Sequence, residues 1–281
     1  MQLFLEPMGG LCNRMRVIAS AYTQLKAQKG KIYVKWVAAP ELNCPSRDLF
    51  TLPSKVAMVD VSQSSPLQMK LSYYFFRLAR KQHLTDETIR SAKEAAGGTL
   101  ALENRTYYET CESFQDDFEG IDFSIISPNP RLKQLAADKI RRISQDGKHP
   151  VMSMHIRRTD NCVSIQDSPT ELFCQVLDAW LLRDPSVRFY IATDDPSVRE
   201  FFSGKYNTSS EVVFFNDSEE LSQDSREGIE AAFVELLTLS MTGQIYGSSG
   251  SSYSEVAAAL GNISLERVTK DTIGEILRQI G

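Results

Sequence analysis

Cysteine and histidine are scarce in this sequence, and their scarcity limits the kinds of site that it can form. The 281 residues include five cysteines and three histidines. The cysteine count is odd and no pair has the Cys-x-x-Cys spacing, so the sequence disfavours both a disulfide framework and a structural zinc site. This cysteine usage fits a reducing compartment best, and we expect a cytoplasmic protein.

Long apolar runs and an excess of positive charge are also missing. No uninterrupted apolar run approaches the roughly 18 residues of a membrane-spanning helix, so we expect no membrane span. The segment "MQLFLEPMGG" has no basic leader before an apolar run, so we predict no signal peptide. The formal net charge of −5 gives no support for a nucleic-acid partner, although it leaves room for a local basic pocket.

Three common phosphate and metal motifs are absent as well. The sequence contains neither Gly-x-Gly-x-x-Gly nor Gly-x-x-x-x-Gly-Lys-Ser/Thr, so it has no standard dinucleotide fingerprint and no P-loop. It contains no Asp-x-Asp pair, so it does not indicate a divalent cation bound through that motif. The sequence therefore gives no indication of a metal bound through such a motif, and we expect no cofactor.

What the sequence does contain is an alternation of strands and helices. "QLFLEP", the glycine turn "MGGLCNR", a helix and the strand "KIYVKWV" form a first α/β unit. After residue 148, four strand–helix pairs follow one another, which predicts a parallel sheet covered on both faces. We expect domains at residues 1–147 and 148–270, with a closing helix at 271–281. The stretch between these two parts shows a less regular pattern of strands and helices.

One helix of that middle stretch, "LQMKLSYYFFRLARKQ", interleaves aromatic and basic residues. It can be interpreted as a helix at a membrane surface. It can also be interpreted as a helix that packs in the core while its lysines and arginines extend to solvent, and we favour this second interpretation on base rates.

Ligands of open parallel sheets bind beyond the carboxyl ends of the strands. Here that rule selects the loops after Pro7, Ile156, Thr193, Asn216 and Gly247.

The loop "HIRRTD" follows a buried strand and carries His155, Arg157 and Arg158. Two arginines at a strand end offer donors that match phosphate oxygens. The alternative is a structural ion pair with Asp160 or Asp194.

Three other loops add complementary groups. "ATDD" supplies Asp194 and Asp195, which could accept hydrogen bonds from a base or a sugar, or could cap the next helix. "GSSGSSYSE" combines glycine, hydroxyls and a helix start, which makes either an anion site or a plain Ser N-cap. In "PMGGLCNRMR", the Gly9–Gly10 pair permits close approach of a ligand, and Asn13 opens a helix. The alternative there is an ordinary turn. A nucleotide with phosphates and hydroxyls would satisfy all four loops.

Four motifs, in order, resemble the α1,2/α1,6/O-fucosyltransferase superfamily, which includes nodulation-factor and core α1,6-fucosyltransferases. They are "GGLCNRMR", "HIRRTD", "FYIATDDPSVREFF" and "SREGIEAAFVELLTLSMTGQIYGSSGSSYSEVA". The resemblance implies a GT-B-like α/β fold in which two Rossmann-like domains face each other across a cleft. It implies GDP-fucose as donor, a glycan hydroxyl as acceptor, inversion at the anomeric carbon and no required metal.

The resemblance also implies roles for individual residues. Arg157 would contact the β-phosphate, with Arg158 in support, and His155 would lie near the phosphate or ribose. Asp194 or Asp195 would accept from the guanine edge, and Arg226 would order its loop by pairing with an acid. Further donor contacts would come from the glycine and serine loops, namely from Gly9, Gly10, Asn13, Ser249, Gly250, Ser251 and Ser252.

The sequence departs from the core α1,6 pattern directly after this loop, where "DNCVSIQD" places Asn161 and Ile165 at positions that are lysine and an acid in those enzymes. Asp167, two residues further on, could be the general base that the acceptor hydroxyl needs. It could instead cap the helix that follows. Two other functions stay open, a glycosyltransferase that uses another nucleotide sugar and a non-catalytic α/β protein that binds nucleotides.

Overall fold

The fold contains two five-stranded sheets, each built of parallel strands, with helices around them, as the alternation of strands and helices predicts. The structure is a computed structural model that describes residues 1–159, 162–208, 211–216 and 224–281, apart from the side chain of Val163.

The first sheet contains strands from the N-terminal part of the chain. Its strands are β1 (Gln2–Pro7), β2 (Lys31–Ala38), β4 (Val56–Ser62), β5 (Gln82–Thr85) and β6 (Thr106–Thr110). Two further strands, β3 (Phe50–Thr51) and β7 (Ser127–Pro128), form a separate antiparallel pair. The order across the sheet is β4-β2-β1-β6-β5, and all four pairings are parallel. The helices here are α1 (Leu11–Leu25), α2 (Ser46–Leu49), α3 (Pro66–Ala79) and α4 (Asp86–Ala95).

The second sheet follows the same plan. Its strands are β8 (Val151–Ile156), β9 (Arg188–Thr193), β10 (Val213–Phe214), β11 (Gln244–Gly247) and β12 (Ser264–Arg267), in the parallel order β10-β9-β8-β11-β12. The helices here are α5 (Pro130–Ser144), α6 (Cys162–Asp167), α7 (Thr170–Arg183), α8 (Pro196–Tyr206), α9 (Arg226–Leu239), α10 (Ser252–Gly261) and α11 (Ile273–Ile280). Strand β8 is central and buried along five of its six residues, which explains its nearly continuous apolar sequence.

The structure corrects the expectation for the middle of the chain. The stretch that looks irregular in sequence supplies β4, β5 and β6 of the first sheet. In the other direction, the predicted strand "EVVFFN" is reduced to the two residues of β10. Strand β12 was not predicted.

By their internal contacts, the residues separate into two compact units. The first consists of Met1–Leu132 and Glu220–Phe233, and the second of Lys133–Glu219 and Val234–Gly281. The chain therefore passes from one unit to the other three times. The predicted boundary near residue 148 lies one helix later, at the end of α5.

Helix α3 does not have the core-packing role that the sequence analysis favours. Only Ser72 and Phe76 are buried among its 14 residues. Six large apolar side chains of the helix are exposed, namely Leu67, Leu71, Tyr73, Tyr74, Phe75 and Leu78. Phe76 packs with Phe4 and Tyr107 into a small aromatic core against the first sheet. Within the described residues, no helix has the length and apolar character needed to cross a membrane.

Candidate functional site

The end of β8 places a neutral imidazole beside the serine loop. His155 is 4% exposed, and its Nδ1 lies 3.2 Å from the hydroxyl of Ser251. Its ring lies against Tyr253, with 4.9 Å between ring centroids. Burial, together with the positive charge of Arg157, lowers the pKa of His155 to about 4. The imidazole is therefore neutral near pH 7 and can donate one hydrogen bond and accept another.

Arg157 begins the loop immediately after β8, and its position is fixed from two sides. Its backbone N–H donates to the Ser248 hydroxyl at 3.1 Å. Its Nε lies 3.1 Å from a carboxylate oxygen of Asp194, so one of the two predicted ion pairs is present. The other predicted partner, Asp160, lies outside the described residues. The Arg157 side chain is 29% exposed, so part of it remains accessible to solvent beside the ion pair.

Asp194 holds the backbone of this loop. One oxygen accepts from the Arg158 N–H at 2.7 Å, and the other accepts from the Thr159 hydroxyl at 2.8 Å and from its N–H at 3.3 Å. The neighbouring Asp195 caps α8 by accepting from the Ser197 N–H at 2.8 Å. Both carboxylates thus have partners within the protein, and a guanine contact would have to compete with them.

The guanidinium of Arg158 contacts the protein's own backbone and so holds the loop in place. It donates to the carbonyls of Arg157 and Ser168, at 2.7 and 2.8 Å, and to the hydroxyl of Thr170. The same group lies 5.9 Å from the ring centroid of Phe173. These contacts join the loop to the start of α7, so Arg158 supports the neighbouring Arg157 through the backbone.

Hydroxyls connect the serine loop to β8 and α6. The Ser248 N–H donates to the carbonyl of His155 at 3.0 Å. The Ser249 N–H donates to the hydroxyl of Ser168 at 2.9 Å, and the Ser249 carbonyl accepts from the hydroxyl of Ser164. The predicted phosphate donor Ser249 is therefore occupied by this network through its backbone.

The rest of the serine loop leads into the start of α10. Gly250 has a φ of +67°, which glycine adopts without strain. Ser251 stands at the N-cap of α10, but its side chain does not cap the helix and contacts His155 instead. Ser252 is the first residue of the helix and is partly buried. The N-terminal end of α10, which carries the positive end of the helix dipole, thus lies beside the β8 loop without a cap from the Ser251 side chain.

Asp167, the predicted general base, is the last residue of α6 and is exposed. It does not cap α7, whose N-cap is Pro169. The structure thus argues against the alternative role of Asp167 as the cap of the following helix. Asn161, one of the two residues at which the sequence departs from the core α1,6 pattern, lies outside the described residues.

The glycine loop after β1 belongs to the first unit. Gly9 has a φ of +75°, and a Cβ there would lie 3.2 Å from the amide nitrogen of Asn13, so the turn requires glycine. A Cβ on Gly10 would meet no atom within 4 Å, so its backbone is open to a ligand. Arg14 holds the turn in place, because the residue is buried and its guanidinium donates to the carbonyls of Gly9 and Val37.

The sequence analysis missed two functional candidates, namely Tyr253, whose ring lies against His155, and Glu235, which contacts Tyr253. The hydroxyl of Tyr253 donates to a carboxylate oxygen of Glu235 at 3.2 Å. Burial raises the pKa of Glu235 to about 7, with opposing effects from Tyr253 and from the charge of Lys139. An acid in the otherwise apolar run "AAFVELL" was the available signal.

Arg226, which was expected to order its loop by pairing with an acid, forms two ion pairs. It contacts Asp48 at 3.2 Å and Glu230 at 3.2 Å. All three residues belong to the first unit. Among the described residues, no group of three His, Cys, Asp or Glu side chains could hold a metal ion.

Comparison with solved structures shows which known proteins have this fold. The alpha-1,6-fucosyltransferase NodZ, soaked with GDP-fucose, matches with a TM-score of 0.63, 16% identity and 92% of each chain covered. NodZ has also been solved from Bradyrhizobium. A mutant of the Arabidopsis thaliana FUT1 in complex with GDP matches with a TM-score of 0.59 and 13% identity, over 96% of this chain and 71% of the other.

A third match is POFUT1 in complex with GDP, with a TM-score of 0.54, 8% identity and coverage of 95% and 98%. No protein-family model and no curated protein matches the sequence, so the likeness is one of structure. It confirms the predicted α/β fold of the GT-B fucosyltransferase structures.

Proposed function

We propose that the protein is an inverting, metal-independent glycosyltransferase that moves fucose from GDP-fucose to a sugar hydroxyl. The observation that carries the proposal is the convergence of two anion-binding features in the second unit. The partly exposed side chain of Arg157 and the N-terminal end of α10 are tied together through Ser248 and the His155–Ser251 contact. A diphosphate fits this arrangement, because both features offer positive potential and N–H donors.

In the proposed reaction, negative charge develops on the departing diphosphate, beside Arg157 and the start of α10. The bond between the anomeric carbon of fucose and the β-phosphate oxygen breaks, and its electron pair stays on the phosphate. The acceptor oxygen bonds to the opposite face of that carbon and gives up its proton. Arg157 and the amides of α10 stabilise the departing diphosphate, which is a role that a fixed cation can fill without a metal.

In this proposal Glu235, and not Asp194 or Asp195, accepts hydrogen bonds from guanine. Guanine presents its N1–H and N2–H donors side by side, and a carboxylate accepts from both. Asp194 and Asp195 already hold backbone N–H groups, whereas Glu235 has a hydrogen bond to Tyr253, which lies against His155. His155 and Tyr253 would then contact the nucleoside between the base and the diphosphate.

The acceptor side remains the less defined half of the proposal. Asp167 is our candidate for the general base, because it is an exposed carboxylate on the short helix that follows the Arg157 loop. We propose that Gly9, Gly10 and Asn13 of the first unit also serve the donor, since the open backbone at Gly10 and the start of α1 suit a phosphate.

Arg157 provides the direct test. With EDTA present, we expect GDP to raise the melting temperature of the wild-type protein, because a ligand of the folded state stabilises it by mass action. Arg157→Ala should abolish this shift and lower kcat by roughly 100-fold or more, while Arg157→Lys keeps the charge but loses the fork and should be intermediate. Arg278→Ala, an exposed arginine on α11, is the matched control.

Release of free diphosphate from a panel of nucleotide sugars separates this function from its alternatives. Selective turnover of GDP-fucose supports the proposal. Turnover of another nucleotide sugar would support the broader glycosyltransferase function. A melting shift without turnover of any donor would indicate a nucleotide-binding protein without chemistry.

A further inference from the structure

Helix α3 presents an apolar surface that the rest of the described chain does not cover. The four residues Leu67, Leu71, Tyr74 and Leu78 have side chains that are 48% to 76% exposed. Their spacing of four, three and four residues puts them within an arc of about 60° on an α-helix. We call these four residues the exposed stripe. It is roughly 17 Å long, and it lies opposite Ser72 and Phe76, which attach the helix to the sheet.

Positive charge accompanies the exposed stripe. Lys70 and Arg77 lie on one side of it, and Arg80 and Lys81 follow the C-terminal end of the helix. None of these four cations forms an ion pair with any residue in the described part of the chain. From residue 61 to residue 85 the sequence has no aspartate and no glutamate, although the whole chain carries a net charge of −5. This segment is therefore a local positive region on an acidic protein.

We propose that the exposed stripe and these four cations dock the protein on the surface of an anionic lipid bilayer. A helix with leucines and a tyrosine on one face, and with lysine and arginine beside them, suits the boundary between headgroups and acyl chains. The negative surface potential of such a bilayer attracts the cations. The helix would lie in the plane of the interface and would not cross it.

The charge pattern favours a bilayer over a second copy of the chain. A two-fold dimer through the exposed stripe would face the same positive region with itself, and the helix has no acid to pair with it. A lipid surface supplies the opposite charge. The proposal is independent of the proposed transferase activity, because the exposed stripe and its four cations include no residue of the site in the second unit.

Vesicle flotation with the full chain tests the proposal. We expect binding to phosphatidylcholine vesicles that contain phosphatidylserine, much weaker binding to phosphatidylcholine alone, and loss of binding at high salt. Lys70→Gln with Arg77→Gln should weaken binding by about 25-fold, which is roughly fivefold for each charge. Leu71→Ser with Leu78→Ser should weaken it by about tenfold or more, because their apolar surface would no longer be buried in lipid.

Matched controls use exposed residues elsewhere. Leu182→Ser changes a leucine on α7 that is 87% exposed, and Lys133→Gln with Lys270→Gln removes two exposed lysines. Both controls should bind vesicles as the wild type does, and all variants should keep the wild-type melting temperature.

Several results would overturn the proposal. The wild type could fail to bind either kind of vesicle, or could bind both equally. The double variant Leu71→Ser with Leu78→Ser could also bind as tightly as the wild type does. Light scattering gives the remaining outcome. Concentration-dependent self-association that disappears in the leucine double variant would make the exposed stripe an interface between copies of this chain.

Discussion

Asp194 illustrates at the scale of one residue how a strand end becomes a rigid site. Its two oxygens accept from two successive N–H groups and a hydroxyl of the Arg157 loop, and they pair with the Arg157 side chain. A carboxylate provides enough acceptors for all of these contacts, whereas a carboxamide has one oxygen and introduces donors. The charge of Asp194 therefore determines where the Arg157 guanidinium lies.

Asp194→Asn should consequently reduce both stability and binding. We expect a loss of about 1.5–3 kcal/mol in the free energy of unfolding, since hydrogen bonds to a charged acceptor are lost, and a weaker melting shift with GDP. Asp195→Asn is the control, because asparagine caps helices as well as aspartate does. If Asp194→Asn left the unliganded melting temperature unchanged and altered only base preference, Asp194 would be a guanine contact, as the resemblance implies.

Glu235 predicts a pH dependence of donor binding. Burial raises its pKa to about 7, so the folded protein keeps a proton there that the unfolded chain has already lost. The stabilisation from that proton is complete below the ordinary glutamate pKa and is lost as the pH rises through 7. Guanine binding requires the ionised form, so the affinity for GDP-fucose should rise roughly tenfold between pH 6 and pH 8.

Calorimetric titration with GDP-fucose measures this dependence without interference from the ligand, whereas the terminal phosphate of GDP itself titrates near pH 6. His155, with a pKa of about 4, stays neutral over this range. Glu235→Gln should bind more weakly and with no pH dependence. A dependence that persists in Glu235→Gln would assign the titration to another group.

At the scale of secondary structure elements, the second sheet could be predicted from the sequence more completely than the first. Strands β8, β9 and β11 are largely apolar runs that end at a glycine or directly before a charged residue, and β9 and β11 are followed by helices with a clear start in the sequence. Strand β5 has no such signal, because it is an edge strand with three of its four residues exposed. It exists because the neighbouring β6 offers it a partner, and that pairing is a property of the tertiary structure.

The same distinction applies to the candidate site. His155, Arg157 and the serine loop could be located because the carboxyl ends of parallel strands lie at one edge of a sheet. The different roles of Arg157 and Arg158 were expected only from the family resemblance and could not be derived from the residues alone, since they depend on where Thr170 and Ser168 lie. Glu235 is on a helix, 18 positions before its partner Tyr253, and no strand-end rule selects it.

For the molecule as a whole, the path of the chain makes the N-terminal part incomplete by itself. The first compact unit includes Glu220–Phe233 as well as Met1–Leu132. Phe233 is fully buried and packs edge-on against Phe50, with 6.1 Å between ring centroids. A chain that stopped at residue 147, the predicted domain limit, would lack this part of α9 and would expose the apolar surface that Phe233 covers.

We therefore expect a fragment of residues 1–147 to unfold without the cooperative transition of the full chain, and to bind a dye that reports exposed apolar surface. In the full chain, Phe233→Ala should cost about 3–5 kcal/mol in the free energy of unfolding, as truncation of a buried phenylalanine does. Phe201→Ala is its control, because that phenylalanine is 48% exposed. A fragment 1–147 that unfolds cooperatively would show that the N-terminal unit does not need α9, and that the limit predicted from the sequence is a true domain boundary.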